Sequence, residues 1–450
     1  MKHMKRIMSV LLMLALAVGM HAQTQSWREM HKVKKKETIY GIAHQYGITE
    51  EELRDANPEM KNEGYTLKKG DYIFIPYPKA TAQQPAQTVV NSPDKNADVR
   101  QRAIRLGVML PLHNENGDGR RMVEYYRGVL MAIEDLKAEG ISVDVHAWNM
   151  AEDANVGMKL LEEGVSDCDI IFGPLYTKQM DLMSQFTKAY GVKLVIPFSI
   201  NGDHVAENPN IYQVYQPQSQ LDAKAIDNFM ARFVGYNYVI IDCNDEDSSK
   251  GTFTKALRAR LEESKLNYNI TNLTSSEQTF ARAFSLEKPN VVVLNTARSP
   301  QLNEAFRKLN TLTAANKNIQ VSMFGYNEWL MYEKTYMELF YKYDTYIPTY
   351  YYYNTASTRI KNLEARYKER FGSEMMAAIP RFAITGYDQT RFFLRGLHRD
   401  GKTFTGESAD KDALQTQFKF ERVGEGGGMK NKQFLFMHYN RNRTITTIVY

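Results

Sequence analysis

From residue 104 onward, short continuous apolar runs alternate with stretches in which apolar side chains recur every three to four positions. The runs at 104–110, 141–147, 169–172, 193–198, 238–242, 291–295 and 320–324 have strand length. Between them lie helical stripes: Met122, Tyr126, Val129, Leu130 and Ile133, then Val156, Leu160 and Leu161, then Met180, Met183 and Phe186. Uninterrupted apolar strands separated by amphipathic helices imply parallel sheets covered on both faces. Such a pattern over 104–450 exceeds one comfortable core, so two α/β lobes are expected. Their expected bounds are about 104–216 with 349–400, and 217–348 with 401–450.

A different pattern occupies 27–78. A short extended piece at 31–35 precedes Thr38, an N-cap for a helix whose Ile39, Ile42, Ala43 and Tyr46 share a face and which Gly47 ends. Thr49 caps a second helix with Glu50, Glu51 and Glu52 in its first turn, where the helix dipole favours acids. Asn57-Pro58 stops it, and a strand at 72–75 closes with Pro76. The module therefore reads strand, helix, helix, strand. Between it and the lobes, 79–103 is rich in Ala, Gln, Asn, Thr and Pro with no apolar period, the composition of a flexible tether.

The amino terminus changes the picture again. Lys2, Lys5 and Arg6 precede an apolar run, and Met20-His21-Ala22 offers a cleavage site, so 1–22 reads as a secretory signal peptide and the mature chain as periplasmic or secreted. Losing those three cations lowers the formal charge of +5 by three, which leaves no electrostatic footprint for nucleic acid. Cys168 and Cys243 begin one strand and follow another, and two separately buried thiols are expected rather than a bridge.

In open α/β sheets a ligand lies outside the carboxyl ends of the strands. The residues there are His113 and Asn114, Tyr176 and Thr177, Ser199 and Asn201, Asn244, and Tyr326 with Asn327. The stretch GPLYTKQ lacks the second glycine and the Lys-Ser pair of a phosphate loop. Thr177 reads as an N-cap whose helix aims free N–H groups at the cleft, an arrangement suited to a carboxylate; the alternative is a plain strand-to-helix joint. DCNDEDSSKG breaks the calcium-loop pattern at its fifth and sixth positions, so no metal is expected. The tyrosines of TYIPTYYYYN either wall the hinge, packing near Phe371, or stack on a ligand. GEGGGMK reads as a loop before a closing hairpin. No HExxH or GxSxG pattern and no defensible carboxylate pair is present, and neither an enzyme nor a cofactor is expected.

Two resemblances add to this reading. Glu37-Thr38-Ile39, Ile42-Ala43, Asn57, Leu67-Lys68-Lys69-Gly70 and Ile73-Phe74-Ile75-Pro76 resemble the LysM family, with Lys36-Glu37 where Gly-Asp is usual. The resemblance implies binding of N-acetylglucosamine-containing glycan, here peptidoglycan, in a groove lined by Glu37, Thr38 and Ile39 with Tyr65 and Thr66 opposite. From IRLGVMLPL through DIIFGPLYTKQ and LVIPFS to LEARYKERFGSEMMAAIPRFAITGYDQT, the rest is similar to type I periplasmic binding proteins of the branched-chain amino acid (Leu/Ile/Val) receptor group. That resemblance implies two lobes closing on a ligand, with Thr177 and Ser199 at its carboxylate and Asp388 the nearest acid for an ammonium. The implied role is a non-catalytic, peptidoglycan-associated binding protein for a small ligand (an amino acid, peptide or muropeptide) or an envelope protein. An ABC-transporter solute receptor and a regulator of peptidoglycan synthesis are the alternatives.

Overall fold

A computed structural model describes residues 27–35, 37–61, 65–76, 97–198, 200–407 and 412–449. The expected leader at 1–22, residues 79–96 of the expected tether and Ser199 lie outside the described residues. The chain divides into two compact units.

In the small unit, β1 (Trp27–Lys32) pairs antiparallel with β2 (Tyr72–Pro76). Between them come α1 (Ile39–Tyr46) and α2 (Glu50–Ala56). Thr38 caps α1 by accepting from the Gly41 N–H at 3.0 Å, and Gly47 ends it at φ 68°. Thr49 and Glu52 form a reciprocal capping box on α2. Ile42, Leu53, Ile73 and Ile75 close the core, each at most 1% exposed. The strand expected at 31–35 lies earlier, because the Lys34–Glu37 turn ends it: the Lys34 N–H donates to the Glu37 carboxylate at 2.7 Å.

The large unit opens with β3 (Ile104–Leu110), α3 (Gly117–Ala138), β4 (Val143–Asn149), α4 (Val156–Leu160), β5 (Ile170–Phe172), α5 (Met180–Tyr190), β6 (Lys193–Ile196), α6 (His204–Glu207) and β7 (Ile211–Gln213). A second run holds α7 (Gln218–Arg232), β8 (Asn237–Asp242), α8 (Gly251–Glu263), β9 (Tyr268–Asn272), α9 (Glu277–Ala281) and β10 (Asn290–Leu294). It continues through α10 (Ser299–Ala315), β11 (Val321–Phe324), α11 (Glu333–Lys342) and β12 (Thr345–Thr349). The chain then forms α12 (Thr358–Phe371), α13 (Phe382–Asp400), β13 (Phe420–Arg422), β14 (Met429–Asn431), β15 (Leu435–Tyr439) and β16 (Ile445–Val449).

Two seven-stranded sheets result, ordered β13-β14-β7-β6-β5-β3-β4 and β16-β15-β12-β11-β10-β8-β9. Central strands such as β10 (NVVVL) are buried on both faces, whereas the edge strand β4 (VDVHAWN) alternates between half-buried and exposed positions. Both sheets are parallel through their middles; β13 and β14, and β12 with β15 and β16, pair antiparallel.

Two boundaries differ from the sequence reading. The segment after α13 returns to the first sheet, where Met429 pairs with Tyr212 and Lys430 with Gln213, so residues 401–431 belong with the first lobe. An aromatic cluster holds it there: the Phe404 ring stacks on Tyr212 at 5.8 Å, and Phe420 meets Tyr212 at 5.7 Å. The tether also ends before residue 103. Val99 is 4% exposed, and Arg102 makes two 2.7 Å bonds to the Asp169 carboxylate.

The chain crosses between lobes at 214–217, 350–357 and 432–434. These crossings are tied by Gln216 Nε2 to Asn431 O (2.7 Å), Tyr352 N to Gln415 O (2.8 Å) and Lys224 Nζ to Lys432 O (2.7 Å). In the first lobe α3 lies against α13 at two glycines. A Cβ on Gly128 would come 1.8 Å from Ala383 O, and one on Gly386 2.1 Å from Tyr125 O.

Candidate ligand site at the strand ends

At the carboxyl end of β3 the chain turns through His113 and Asn114 into α3. His113 is half-buried; its Nδ1 accepts from the Glu115 N–H at 3.3 Å, and its ring packs on Gly119, leaving no room for a Cβ. Asn114 is exposed. After β5, Gly173 at φ 136° brings its backbone against Met109 O, an approach that a Cβ would block at 2.1 Å. The Tyr176 hydroxyl then donates to Asp118 Oδ2 at 3.2 Å, joining this turn to the start of α3. Burial, and next the Asp118 charge, push the Tyr176 phenol up to about 12.

Thr177 departs from its expected role. It is exposed and begins a single 3-10 turn (Thr177–Gln179), and α5 starts after Gln179 with no side-chain cap. Its hydroxyl therefore does not organise the helix end, and the stretch behaves as a strand-to-helix joint. Asn201, after β6, is exposed. Phe198, beyond the end of β6, packs among aromatic rings, with its centroid 5.6 Å from Tyr125, 5.8 Å from Phe382 and 6.2 Å from Tyr215. Tyr215 in turn meets Tyr351 of the second crossing at 6.2 Å.

In the second lobe Asn244 sits at φ 50°, where Asn is among the tolerated residues, and exchanges two 2.8 Å amide bonds with Asn272. Tyr326 is only 3% exposed, and its hydroxyl donates to Leu294 O at 2.5 Å. It offers the site a ring face but no free hydroxyl. Asp388 is an interior residue of α13, 1% exposed, accepting the backbone N–H groups of Leu414 (2.8 Å), Gln415 (2.8 Å) and Thr416 (3.0 Å). Its carboxylate holds the returning segment against α13, which corrects the expectation that it meets a ligand's ammonium. Asp245, in the stretch weighed for calcium, accepts from Thr296 at 2.6 Å and pairs with Arg298 at 3.0 Å.

Sequence reasoning missed a charged cluster of the second lobe. Lys250, at the head of α8, is 7% exposed; its Nζ lies 2.7 Å from Glu328 Oε1 and 5.0 Å from the Tyr326 ring centroid. Asp222 of α7 stands within electrostatic reach of both charges, and burial raises its carboxyl above the usual range. Tyr350, at the end of β12, is 7% exposed and feels the Asp222 charge. Neither its hydroxyl nor Glu328 Oε2 has a partner among the described residues. All these groups gather at the carboxyl ends of β8, β11 and β12. The adjacency of Glu328 to Tyr326-Asn327 was the available signal; the lysine, 78 positions earlier, gave none. A second feature, between the lobes, is a cavity of about 230 Å³ lined by Leu330, Met331, Tyr353, Ala377, Ile379 and Arg381.

In the small unit, Glu37 accepts from the Lys34 N–H and meets His31 Nε2 at 2.7 Å, while His31 Nδ1 meets the Tyr46 hydroxyl at 2.9 Å. The Lys34 N–H first, then His31, hold the Glu37 carboxyl below its usual range. The Glu37 and Thr38 side chains are thus committed to the turn and the cap. Of the other residues expected in a glycan groove, Ile39 and Tyr65 are half-buried and Thr66 is exposed.

Two lobes joined by three crossings, with polar side chains at matching strand ends, define the two-lobed architecture of a binding protein. The chain belongs to the periplasmic binding protein family, whose model matches residues 103–438; that family consists of ligand-binding receptors. Residues 31–76 match the LysM domain model. Among solved structures, a branched-chain amino acid ABC transporter protein of Rhodospirillum rubrum is 13% identical, with a TM-score of 0.52 over 77% of this chain and 100% of its own. An ABC transporter substrate-binding protein of Desulfitobacterium hafniense in complex with Leu is 10% identical, with a TM-score of 0.44 over 77% and 100%. The likeness to the first of these carries the fold. No curated protein matches the chain. Among the described residues no helix is long and apolar enough to cross a membrane.

Proposed function

We propose that the chain is an exported, non-catalytic binding protein of the cell envelope. Its LysM domain associates with peptidoglycan, and its two-lobed domain senses or scaffolds a small solute or an envelope partner. The observation that carries this reading is the union in one chain of a LysM domain and a two-lobed periplasmic binding protein domain. A second reading, an ABC-transporter solute receptor for amino acids or peptides, is favoured by the fold shared with the Rhodospirillum rubrum protein. A freely diffusing receptor has no use for a wall anchor, which ranks it second.

Two measurements test the proposal. The mature protein should co-sediment with purified peptidoglycan, and a chain beginning at residue 97 should not; equal sedimentation of both removes the tether. A thermal-shift panel of amino acids, short peptides and muropeptides should give at least one stabilising solute. A hundredfold excess over the dissociation constant corresponds to about 2.7 kcal/mol. A flat panel together with a crosslinked protein partner would turn the reading from solute to scaffold.

A further inference from the structure

We propose that Lys250 decides which solutes the second lobe accepts, because its ammonium fills a cation seat built from the Tyr326 ring and the Glu328 carboxylate. The inference rests on the solute-binding reading above and deepens it. An electron-rich ring face beside a carboxylate is a general design for holding an organic cation. Here Glu328 Oε1 lies 2.7 Å from the lysine Nζ, and the Tyr326 centroid 5.0 Å from it. Asp222 adds a second negative group within electrostatic reach. Tyr326 cannot turn away, since its hydroxyl is bound to Leu294 O and its ring is wedged edge-on against Phe253 at 5.4 Å and Trp329 at 6.1 Å. The ring side of the seat is therefore fixed, and the chain's own side chain occupies the seat.

The consequence concerns chemical class. A solute approaching this rim meets an ion pair already neutralised, with Glu328 Oε2 and the Tyr350 hydroxyl left unpartnered. Those two atoms suit a neutral N–H or O–H, such as an amide or a sugar hydroxyl. A free amino acid or amine would have to displace Lys250 and strand a second buried cation, at the cost of leaving that charge unpaired. The second lobe thus selects uncharged donors and excludes solutes recognised through an alkylammonium.

The test is chemical rescue in the otherwise intact mature protein. Lys250→Ala empties the seat, and n-butylammonium has the shape of the missing side chain. The melting temperature of K250A should rise with n-butylammonium, with an affinity about tenfold or more above that of the parent protein. K250A should also gain binding of leucine, which leaves the parent unmoved. Lys250→Met fills the same space without charge and should show neither response. If K250A does not fold alone, refolding that depends on n-butylammonium is the same readout. An equal response from the parent and K250A, a response surviving in the K250A/E328Q double variant, or leucine binding to the parent overturns the inference. Rescue together with a flat solute panel defeats the solute-binding reading alone, whereas lost rescue with a positive panel defeats only the cation seat.

Discussion

Lys193 opens β6 in the first lobe, and its ammonium is buried beneath the returning segment. Nζ donates to the Tyr212 hydroxyl at 3.3 Å and to Phe404 O at 3.2 Å, with no carboxylate bonded to it among the described residues. Burial first, then the Arg422 charge, lowers its pKa from the ordinary 10.5 to about 8. The unfolded chain keeps the proton up to about 10.5, while the folded chain releases it near 8. Between those values the unfolded state binds more protons, so stability rises with pH across that window. A depression of this size corresponds to about 3 kcal/mol, absent below pH 8 and fully present above 10.5. Lys193→Met removes the titration without stranding an acceptor, because the Tyr212 hydroxyl already donates to Phe404 O at 2.6 Å. At pH 7 the variant should be the more stable by about 1–2 kcal/mol, after allowing about 1 kcal/mol for each lost hydrogen bond. Urea unfolding of both proteins from pH 7 to pH 10.5 measures the gap, and the comparison cancels the tyrosines that titrate in the same range. The gap should move in favour of the parent by about 3 kcal/mol as pH rises. A gap that stays flat would refute the buried-ammonium argument.

Asp388→Ala removes three backbone hydrogen bonds to a buried carboxylate and should cost about 3–5 kcal/mol in urea unfolding, with Asp388→Asn losing roughly half as much; a loss below about 0.5 kcal/mol would contradict its structural assignment. Gly128→Ala drives a methyl into Ala383 O and should destabilise by about 1–3 kcal/mol or more, read as a lowered melting temperature. Cys168 and Cys243 are buried, free, and pushed up to about 12 chiefly by that burial. Neither should react with a thiol reagent at pH 8 until the protein is denatured, and fast labelling of the native protein would contradict their placement.

Periodicity along the chain was enough to locate β3, β5, β6, β8, β10 and β11, because a strand buried on both faces must be apolar throughout. Capping chemistry was equally local: Thr38 and Thr49 satisfy N–H groups three residues away, so their roles could be read from neighbours alone. The pairing of β14 with β7 was not legible. FER and MKN are three-residue strands with no distinctive pattern, and their place depends on Tyr212, Phe404 and Phe420 meeting across some two hundred positions.

The candidate site divides in the same way. Sequence determined that polar and aromatic residues would stand at the strand ends, since strand length and the turn that follows are local properties. It did not determine which of them face outward. Tyr326 and Asp388 turn inward because Leu294 O and the Leu414–Thr416 N–H groups, distant in the chain, need partners that burial denies them in water. Lys250, Glu328 and Asp222 come together only when α7, α8 and the turn after β11 are packed on one sheet. Local chemistry fixes the elements and where they end; long-range packing, by deciding which polar groups lose water, chooses the residues that make the site.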